Sequence, residues 1–162
     1  MPLLGIKKIV QRKILHFKNN TLKQHVVFLY IYKTMQSQEF KVTLIGHTKT
    51  GKTTFVSNLL YGDLHNLPPT LGVDVKPFGF KYGDCKYRIM FWDCAGDPRF
   101  LGLGQKYVVG SDIVLIFTDP NRDDNDVFLE WVPHDTPYEY VSRGTSTTDI
   151  LTIIKNKFVA YV

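Results

Sequence analysis

The chain has 162 residues, 44% of them hydrophobic and 22% charged, which is the composition of a one-domain globular protein with a substantial core. Its two cysteines, Cys85 and Cys94, exclude a disulfide framework. The net charge of +5 is uneven: residues 1–38 hold seven basic and no acidic residues, and the remainder holds 13 basic and 15 acidic ones. The folded part therefore gives no case for nucleic-acid binding.

Residues 1–38 are predicted to form a basic extension that precedes the folded domain. A helix drawn over residues 1–18 would be amphipathic and cationic, which suits a membrane surface or an organellar presequence. The alternatives are a loosely ordered terminus, which we favour, and a start at Met35. Residues 26–32 are too few to span a bilayer. The apolar face of the drawn helix consists of Leu3, Ile6, Ile9, Val10 and Phe17.

A phosphate-binding loop is predicted at the start of the domain. Residues 40–45 alternate and then become wholly apolar, which indicates a buried strand, and residues 53–60 indicate a helix. Between them lies Gly46-His47-Thr48-Lys49-Thr50-Gly51-Lys52-Thr53. Its glycines let backbone N–H groups surround phosphate oxygens, and the following helix adds its positive N-terminal end. Lys52 is predicted to bridge the terminal phosphates, and the Thr53 hydroxyl to bind Mg²⁺.

Two further elements follow in the order that such a site requires. Thr70, after the loop prolines at 68–69, can offer a hydroxyl to Mg²⁺ and an amide to the γ-phosphate. In Trp92-Asp93-Cys94-Ala95-Gly96, the Asp93 carboxylate can hold Mg²⁺ and the Gly96 amide can reach the γ-phosphate. Alone, the aspartate motif is explained equally well by an aspartate that caps a turn, and a loop threonine is nearly always structural. Together with the loop, they favour a nucleotide site.

The remaining elements alternate between strands and helical stretches, which predicts a parallel α/β sheet. They are a hairpin of residues 74–82 and 87–92 that turns at 82–84, a strand at 112–117, a helix at 128–132, a polar, turn-rich stretch at 133–148 and a last strand at 150–154.

The chain resembles a small GTPase of the Ras superfamily, and within it most closely the Ran family. The likeness runs from about Phe40 to Phe117. It is carried by Phe40-Lys-Val-Thr-Leu-Ile-Gly46, Gly51-Lys-Thr-Thr-Phe-Val56, Thr70-Leu-Gly-Val-Asp-Val75 and Phe91-Trp-Asp-Cys-Ala-Gly96. It implies an α/β P-loop NTPase G domain, in which a mixed, mostly parallel six-stranded sheet is flanked by helices.

The resemblance also implies Mg²⁺-dependent binding and hydrolysis of GTP, with GDP as the other bound nucleotide. Thr70 and residues 93–108 would be the nucleotide-sensing switches. The implied role is in nucleocytoplasmic transport, in nucleus and cytoplasm, with nuclear transport receptors, an exchange factor and a GTPase-activating protein as partners.

The motifs and the resemblance together define three sets of candidate site residues. The catalytic set is Lys52, Thr70 and Asp97, and the metal ligands are Thr53, Thr70 and Asp93. The nucleotide-binding set is Gly46, His47, Thr48, Lys49, Thr50, Gly51, Lys52, Thr53, Thr54, Thr70, Gly96, Asn156 and Lys157.

Several positions depart from the family pattern. Asp97 stands where the family has a glutamine that orients the attacking water, and a carboxylate beside the γ-phosphate would slow hydrolysis by like-charge repulsion. Leu64 replaces the aromatic residue that packs on the guanine. Asn156-Lys157-Phe158-Val159 follows the predicted last strand as the guanine-reading Asn-Lys-x-Asp motif does, but Val159 replaces its aspartate. The alternative for this motif is a chance dipeptide.

The chain ends at Val162, before the family's last strand, its second guanine-contact loop and its C-terminal helix. Residues 39–162 are therefore predicted to be an incomplete, C-terminally truncated Ras-like G domain. Apolar sheet surface would be exposed or covered by residues 1–38.

Three functional hypotheses follow. The leading one is a slow Ran-like GTPase, and the second is a degenerate pseudo-GTPase that acts as a binding module without turnover. A P-loop ATPase or kinase of another family would need an adenine-site pattern or a lid with arginines. Arg99 and Arg122 are interpreted as isolated surface charges rather than catalytic arginines.

Overall fold

The computed structural model describes residues 38–62, 67–82 and 85–159. The predictions for a helix over residues 1–18, for Leu64 and for the turn at residues 83–84 lie outside the described residues. The described residues divide into two compact units, one of residues 38–39 and 79–88 and one of residues 40–78 and 89–159. Within the smaller unit, the rings of Phe80 and Tyr87 stack with centroids 5.2 Å apart.

The chain alternates strands and helices, and its described strands form one five-stranded sheet of order β2-β3-β1-β4-β5. β1 pairs with β4, and β4 with β5, both in parallel. β2 and β3 are sheet neighbours joined by two residues, and they therefore run antiparallel. The elements are β1 (Gln38–Gly46), α1 (Lys52–Tyr61), β2 (Val73–Tyr82), β3 (Cys85–Cys94), α2 (Leu101–Val108), β4 (Ile113–Thr118), β5 (Tyr138–Ser142) and α3 (Thr147–Val159), with 3₁₀ turns at Pro98–Phe100 and Asn125–Trp131.

This architecture confirms the predicted α/β class with a mixed, mostly parallel sheet flanked by helices. The described part has five strands where the resemblance implied six. The helix predicted at residues 128–132 overlaps a 3₁₀ helix at Asn125–Trp131, and α2 was not predicted. None of the helices in the described ranges has the length and apolar character needed to cross a membrane.

The central strand β1, over residues 42–46, and its neighbour β4, over residues 113–117, are buried on both faces of the sheet. On one face, Ile45 of β1 and Val114 and Ile116 of β4 pack with Val108 of α2 and with Phe128. Because all five side chains are at most 1% exposed, each stabilises the fold by roughly 1.5–3 kcal/mol relative to exposure. α2 and the second 3₁₀ turn therefore cover this face.

The opposite face is covered by α1 and α3, which contact each other. Phe55 of α1 lies edge-on to Phe91 of β3, with centroids 5.5 Å apart, and 6.1 Å from Phe117 of β4. Phe158 of α3 stacks on Phe40 of β1 at 4.1 Å. The expectation that apolar sheet surface would be exposed is therefore wrong for this face, and its cover by the N-terminal extension is a prediction that lies outside the described residues.

The prediction of a last strand at residues 150–154 is also wrong, because these residues belong to α3. Their β-branched run has high strand propensity. However, Ile150, Ile154 and Phe158 recur every four residues and are all buried, which is the period of a helix. Tertiary packing on one helical face outweighs the local preference.

A strand that the sequence did not predict lies in the stretch interpreted as polar and turn-rich. In β5, only Val141 is buried, because the strand lies at the edge of the sheet. Its register pairs Tyr138 with Val114 and Val141 with Phe117 of β4. The aromatic and β-branched residues of Tyr-Glu-Tyr-Val were the available signal.

Ser146 caps the N-terminal end of α3, and substitutions at this residue test the cap. Ser146 Oγ accepts the backbone N–H of Asp149 at 3.1 Å and donates to its carboxylate at 2.7 Å. We expect Ser146→Ala to lower the free energy of unfolding by about 1 kcal/mol, because a cap is lost. Ser146→Asn keeps an acceptor and should stay within about 0.5 kcal/mol of the unchanged chain. Urea denaturation measures the free energy of unfolding of both variants. An unchanged value for Ser146→Ala would contradict the cap.

Candidate nucleotide-binding site

The segment between β1 and α1 folds back on itself because three residues have positive φ: Gly46 at 135°, Lys49 at 63° and Gly51 at 102°. A Cβ on Gly46 would collide with the carbonyl oxygen of Phe117 in the neighbouring strand. Lys49 is the one non-glycine with positive φ among the described residues, at a cost of about 1–2 kcal/mol. Its exposed side chain lines the adjoining cleft.

Lys52 lies at the centre of this loop and is almost fully buried. Its Nζ donates to the carbonyl oxygens of Gly46 and His47, both at 2.7 Å. The Thr50 hydroxyl also donates to His47, at 2.8 Å. Burial lowers the pKa of Lys52 to about 8, and the nearby Asp93 carboxylate partly offsets this shift. The loop therefore encloses a cation that the backbone holds in place.

The end of β3 lies directly against the loop. The Thr48 backbone N–H donates to the Gly96 carbonyl at 3.1 Å. A Cβ on Gly96 would collide with backbone atoms of His47 and Thr48. The glycine predicted from the Asp-Cys-Ala-Gly motif is thus required by the close approach of two backbones.

Three side-chain oxygens converge beside the loop. The Thr53 hydroxyl donates to Asp93 Oδ2 at 2.7 Å and lies 2.9 Å from the Thr70 hydroxyl, which is 3.2 Å from the same carboxylate oxygen. Asp93 is buried, and its Oδ1 has no hydrogen-bond partner among the described residues. Burial raises the pKa of Asp93, although the hydrogen bond from Thr53 and the charge of Lys52 oppose the shift.

This oxygen cluster fits a hard divalent cation. Mg²⁺ prefers one or two carboxylates with hydroxyl, phosphate and water oxygens. An orphaned buried carboxylate oxygen is the kind of acceptor that such a cation would satisfy. No group of three or more His, Cys, Asp or Glu that could hold a metal occurs in the described part of the chain. A cation at this position would be held by Asp93 together with the two threonine hydroxyls.

Asp97 follows Gly96 at the wall of the cleft. Its carboxylate accepts hydrogen bonds from the Arg99 backbone N–H at 2.9 Å, from Nε at 3.0 Å and from Nη2 at 2.7 Å. These bonds, led by those from the Arg99 side chain, lower the pKa of Asp97 to about 2. Arg122 similarly pairs with Asp124, at 2.8 Å. Arg99 and Arg122 are therefore exposed surface charges, as predicted, and each is paired with a nearby carboxylate.

His47 belongs to the loop by its backbone, but its side chain faces away from the cleft. Its Nε2 lies 3.2 Å from Asp124 Oδ1 and 3.3 Å from the Asp124 carbonyl oxygen. Its ring lies edge-on to Phe128, with centroids 4.8 Å apart. The side chain thus ties the loop to the segment after β4.

The Asn156-Lys157 pair is not where the sequence reasoning put it. That assignment required a strand before Asn156, and the structure has the helix α3 instead. Lys157 pairs with Glu139 of β5 at 2.7 Å. Neither residue is among those that line the cleft.

The cleft has a volume of about 630 Å³, within the range of small-ligand pockets. Its lining includes residues 48–54 of the loop and α1, residues 67–70, residues 96–97 and residues 142–145. The last segment, between β5 and α3, was missed by the sequence reasoning because β5 itself was missed. The available signal was Gly144, which has a φ of 93° after the strand.

The fold and the site together define a class. A strand, a glycine loop around a buried lysine and a helix, with two threonines and an aspartate converging beside them, form a Ras-like P-loop nucleotide-binding domain. A family model described as "Ras of Complex, Roc, domain of DAPkinase" matches residues 41–158. The chain belongs to this Roc family, in the Ras-like GTPase superfamily. The match supports the superfamily predicted from the sequence, and it does not single out the Ran branch.

Proposed function

We propose that this protein is a nucleotide switch that binds GTP and GDP together with Mg²⁺ and hydrolyses GTP slowly. The observation that carries the proposal is the convergence of Lys52, Thr53, Thr70 and Asp93 at the bend of the glycine loop. Membership of a Ras-like GTPase family supports the same assignment.

The described residues suggest a division of roles. The backbone N–H groups of residues 48–53, the start of α1 and the Lys52 ammonium would hold the phosphates. The Gly96 amide and Thr70 would contact the γ-phosphate and report its presence. Thr53, Thr70 and Asp93 would hold Mg²⁺. When bound, this ion supplies positive charge that neutralises the phosphate oxygens.

The base would lie at the other end of the cleft, against residues 142–145 and Phe117. Asp97 is the one acidic residue among the described residues that line the cleft, and it belongs to the phosphate end. The base end therefore lacks the carboxylate that would accept both guanine N–H groups. Discrimination against adenine should then be weaker than a bidentate carboxylate provides.

Nucleotide binding is testable by thermal unfolding with Mg²⁺ and saturating GTP, GDP or ATP. We expect GTP and GDP to raise the unfolding temperature and ATP to raise it less. A ligand at 100 times its Kd stabilises by about 2.7 kcal/mol. Lys52→Ala should abolish the shifts, and EDTA should reduce the GTP shift.

Two results would change the assignment in different ways. Equal shifts with ATP and GTP would remove guanine specificity and leave polyphosphate binding intact. No shift with any nucleotide would remove the proposed function altogether.

Slow hydrolysis is supported by the position of Asp97 at the cleft wall. Arg99 holds its carboxylate, and the low pKa keeps it ionised, so it is a poor base and a poor orienting group for water. In the extreme case, the protein would not hydrolyse GTP at all and would act only as a nucleotide-dependent binding module. The Asp97–Arg99 pair favours this second candidate function.

Substitution at Asp97 tests the hydrolysis proposal. We expect Asp97→Gln to raise the single-turnover rate of GTP hydrolysis at least tenfold, because orientation of the reacting water can be worth about 10²-fold. Asp97→Asn removes the charge with a shorter amide and is the matched control. If Asp97→Gln and the unchanged protein hydrolyse GTP at equal rates, Asp97 does not limit turnover.

A finer assignment, to a Ran-like role in transport between nucleus and cytoplasm, is supported by the segment Thr70-Leu-Gly-Val-Asp-Val75 at the start of β2. Exposed Leu71 and partly exposed Val75 on this segment offer an apolar contact surface. We expect nuclear transport receptors to bind the GTP-loaded protein more tightly than the GDP-loaded protein. Equal binding of the two forms would exclude this role and leave the family assignment in place.

A further inference from the structure

We propose that Arg99 is a positioning residue that neutralises the Asp97 carboxylate at the wall of the cleft and thereby sets the preference for a nucleoside triphosphate over a diphosphate. This inference rests on the proposed nucleotide-binding function and concerns the regulation of the same site.

Local geometry fixes the pair. Asp97 and Arg99 flank Pro98, whose ring restricts φ, and the Asp97 carbonyl accepts the Phe100 N–H at 2.9 Å. In this tight turn, the Arg99 backbone N–H and two guanidinium nitrogens all reach the same carboxylate. The planar guanidinium matches a carboxylate in this two-point geometry.

The two side chains differ in exposure and in whether they line the cleft. Asp97 lines the cleft and is 31% exposed, whereas Arg99 is 77% exposed and is not among the lining residues. The arginine therefore approaches the carboxylate from the solvent side. The pair presents a compensated charge to the cleft, which bare Asp97 would not.

Compensation of the Asp97 charge should favour GTP over GDP, because the two nucleotides differ in charge. A triphosphate carries more negative charge than a diphosphate, and Gly96, the neighbour of Asp97, lies against the loop at His47 and Thr48. An uncompensated carboxylate there would repel the additional phosphate more than the two that both nucleotides share. Loss of Arg99 should therefore weaken GTP binding more than GDP binding.

A purely structural role predicts a different pattern of nucleotide affinities. Under either role, removing Arg99 should barely change the unfolding temperature, because exposed ion pairs contribute little to stability. If Arg99 only supported the fold of the turn, GTP and GDP affinities would fall together. The ratio of the two affinities therefore separates the two roles.

The experiment measures Kd for GTP and for GDP, with Mg²⁺, in the unchanged full chain and in four variants. We expect Arg99→Ala to lower the preference for GTP roughly fivefold. Asp97→Asn, which leaves the arginine unpaired, should raise it. The double variant Asp97→Asn with Arg99→Ala should return close to the unchanged protein. Arg99→Lys keeps the charge and should stay within about twofold.

Salt provides a second readout, since the effect of Arg99→Ala should shrink at about 1 M salt, where the screening length is roughly 3 Å. Equal losses for GTP and GDP in Arg99→Ala would overturn the inference. So would a double variant with the same preference as Arg99→Ala, because Asp97 would then not be the target. Failure of the unchanged protein to bind any guanine nucleotide would instead overturn the proposed function, and this inference with it.

Discussion

The site depends on two places where the backbone approaches so closely that no side chain fits. Gly46 lies against the Phe117 carbonyl of β4, and Gly96 lies against His47 and Thr48 of the loop. The loop is therefore held between the ends of two strands, because a Cβ at either glycine would force them apart. The sheet therefore sets the direction in which the loop runs, and residues 46–53 alone would not determine this direction. This explains why the phosphate end of the cleft lies at the carboxyl ends of β1 and β3.

The glycine loop and the end of β3 hold groups that contribute unfavourably to the stability of the fold. Lys52 is a buried cation with a lowered pKa, Asp93 has an orphaned oxygen, and Lys49 has a strained φ. Strain and unsatisfied polar groups of this kind cluster at functional sites, where the surrounding structure maintains them. Anionic phosphates and a divalent cation would satisfy these same groups. Binding of such ligands would therefore offset part of the free energy that Lys52 and Asp93 cost the fold.

The structure brings together the residues that the sequence predicted for the phosphate end, because the information for this segment is local. Strand, glycines, lysine and helix occupy fewer than 25 consecutive residues, and the steric demands of the turn restrict the alternatives. The second half of the fold was predicted poorly. Helix α3 was not predicted because the β-branched run at 150–154 favours a strand. The helical period of α3 becomes evident only when Phe158 and the Ser146 cap are included. Strand β5 was hidden because an edge strand buries only one side chain, Val141. The Asp97–Arg99 pair needs the geometry of the Pro98 turn, which spacing alone does not give.

Affinity for phosphates and specificity for a base would depend on different parts of this cleft. The first would depend on one local segment, and the second on contacts between distant segments. The phosphates would be held mainly by backbone N–H groups and side chains of one contiguous segment, residues 46–53. The base would lie against residues 142–145 and Phe117. Between the loops that follow β5 and β4, the Arg143 guanidinium donates to the Asp119 carboxylate at 3.2 Å, and the Arg143 backbone N–H donates to the Thr118 carbonyl at 2.8 Å. These contacts join the two loops and direct the Asp119 carboxylate to Arg143. Because specificity is a difference between two affinities, a domain with this division would keep its affinity for polyphosphates even where its discrimination between bases is weak.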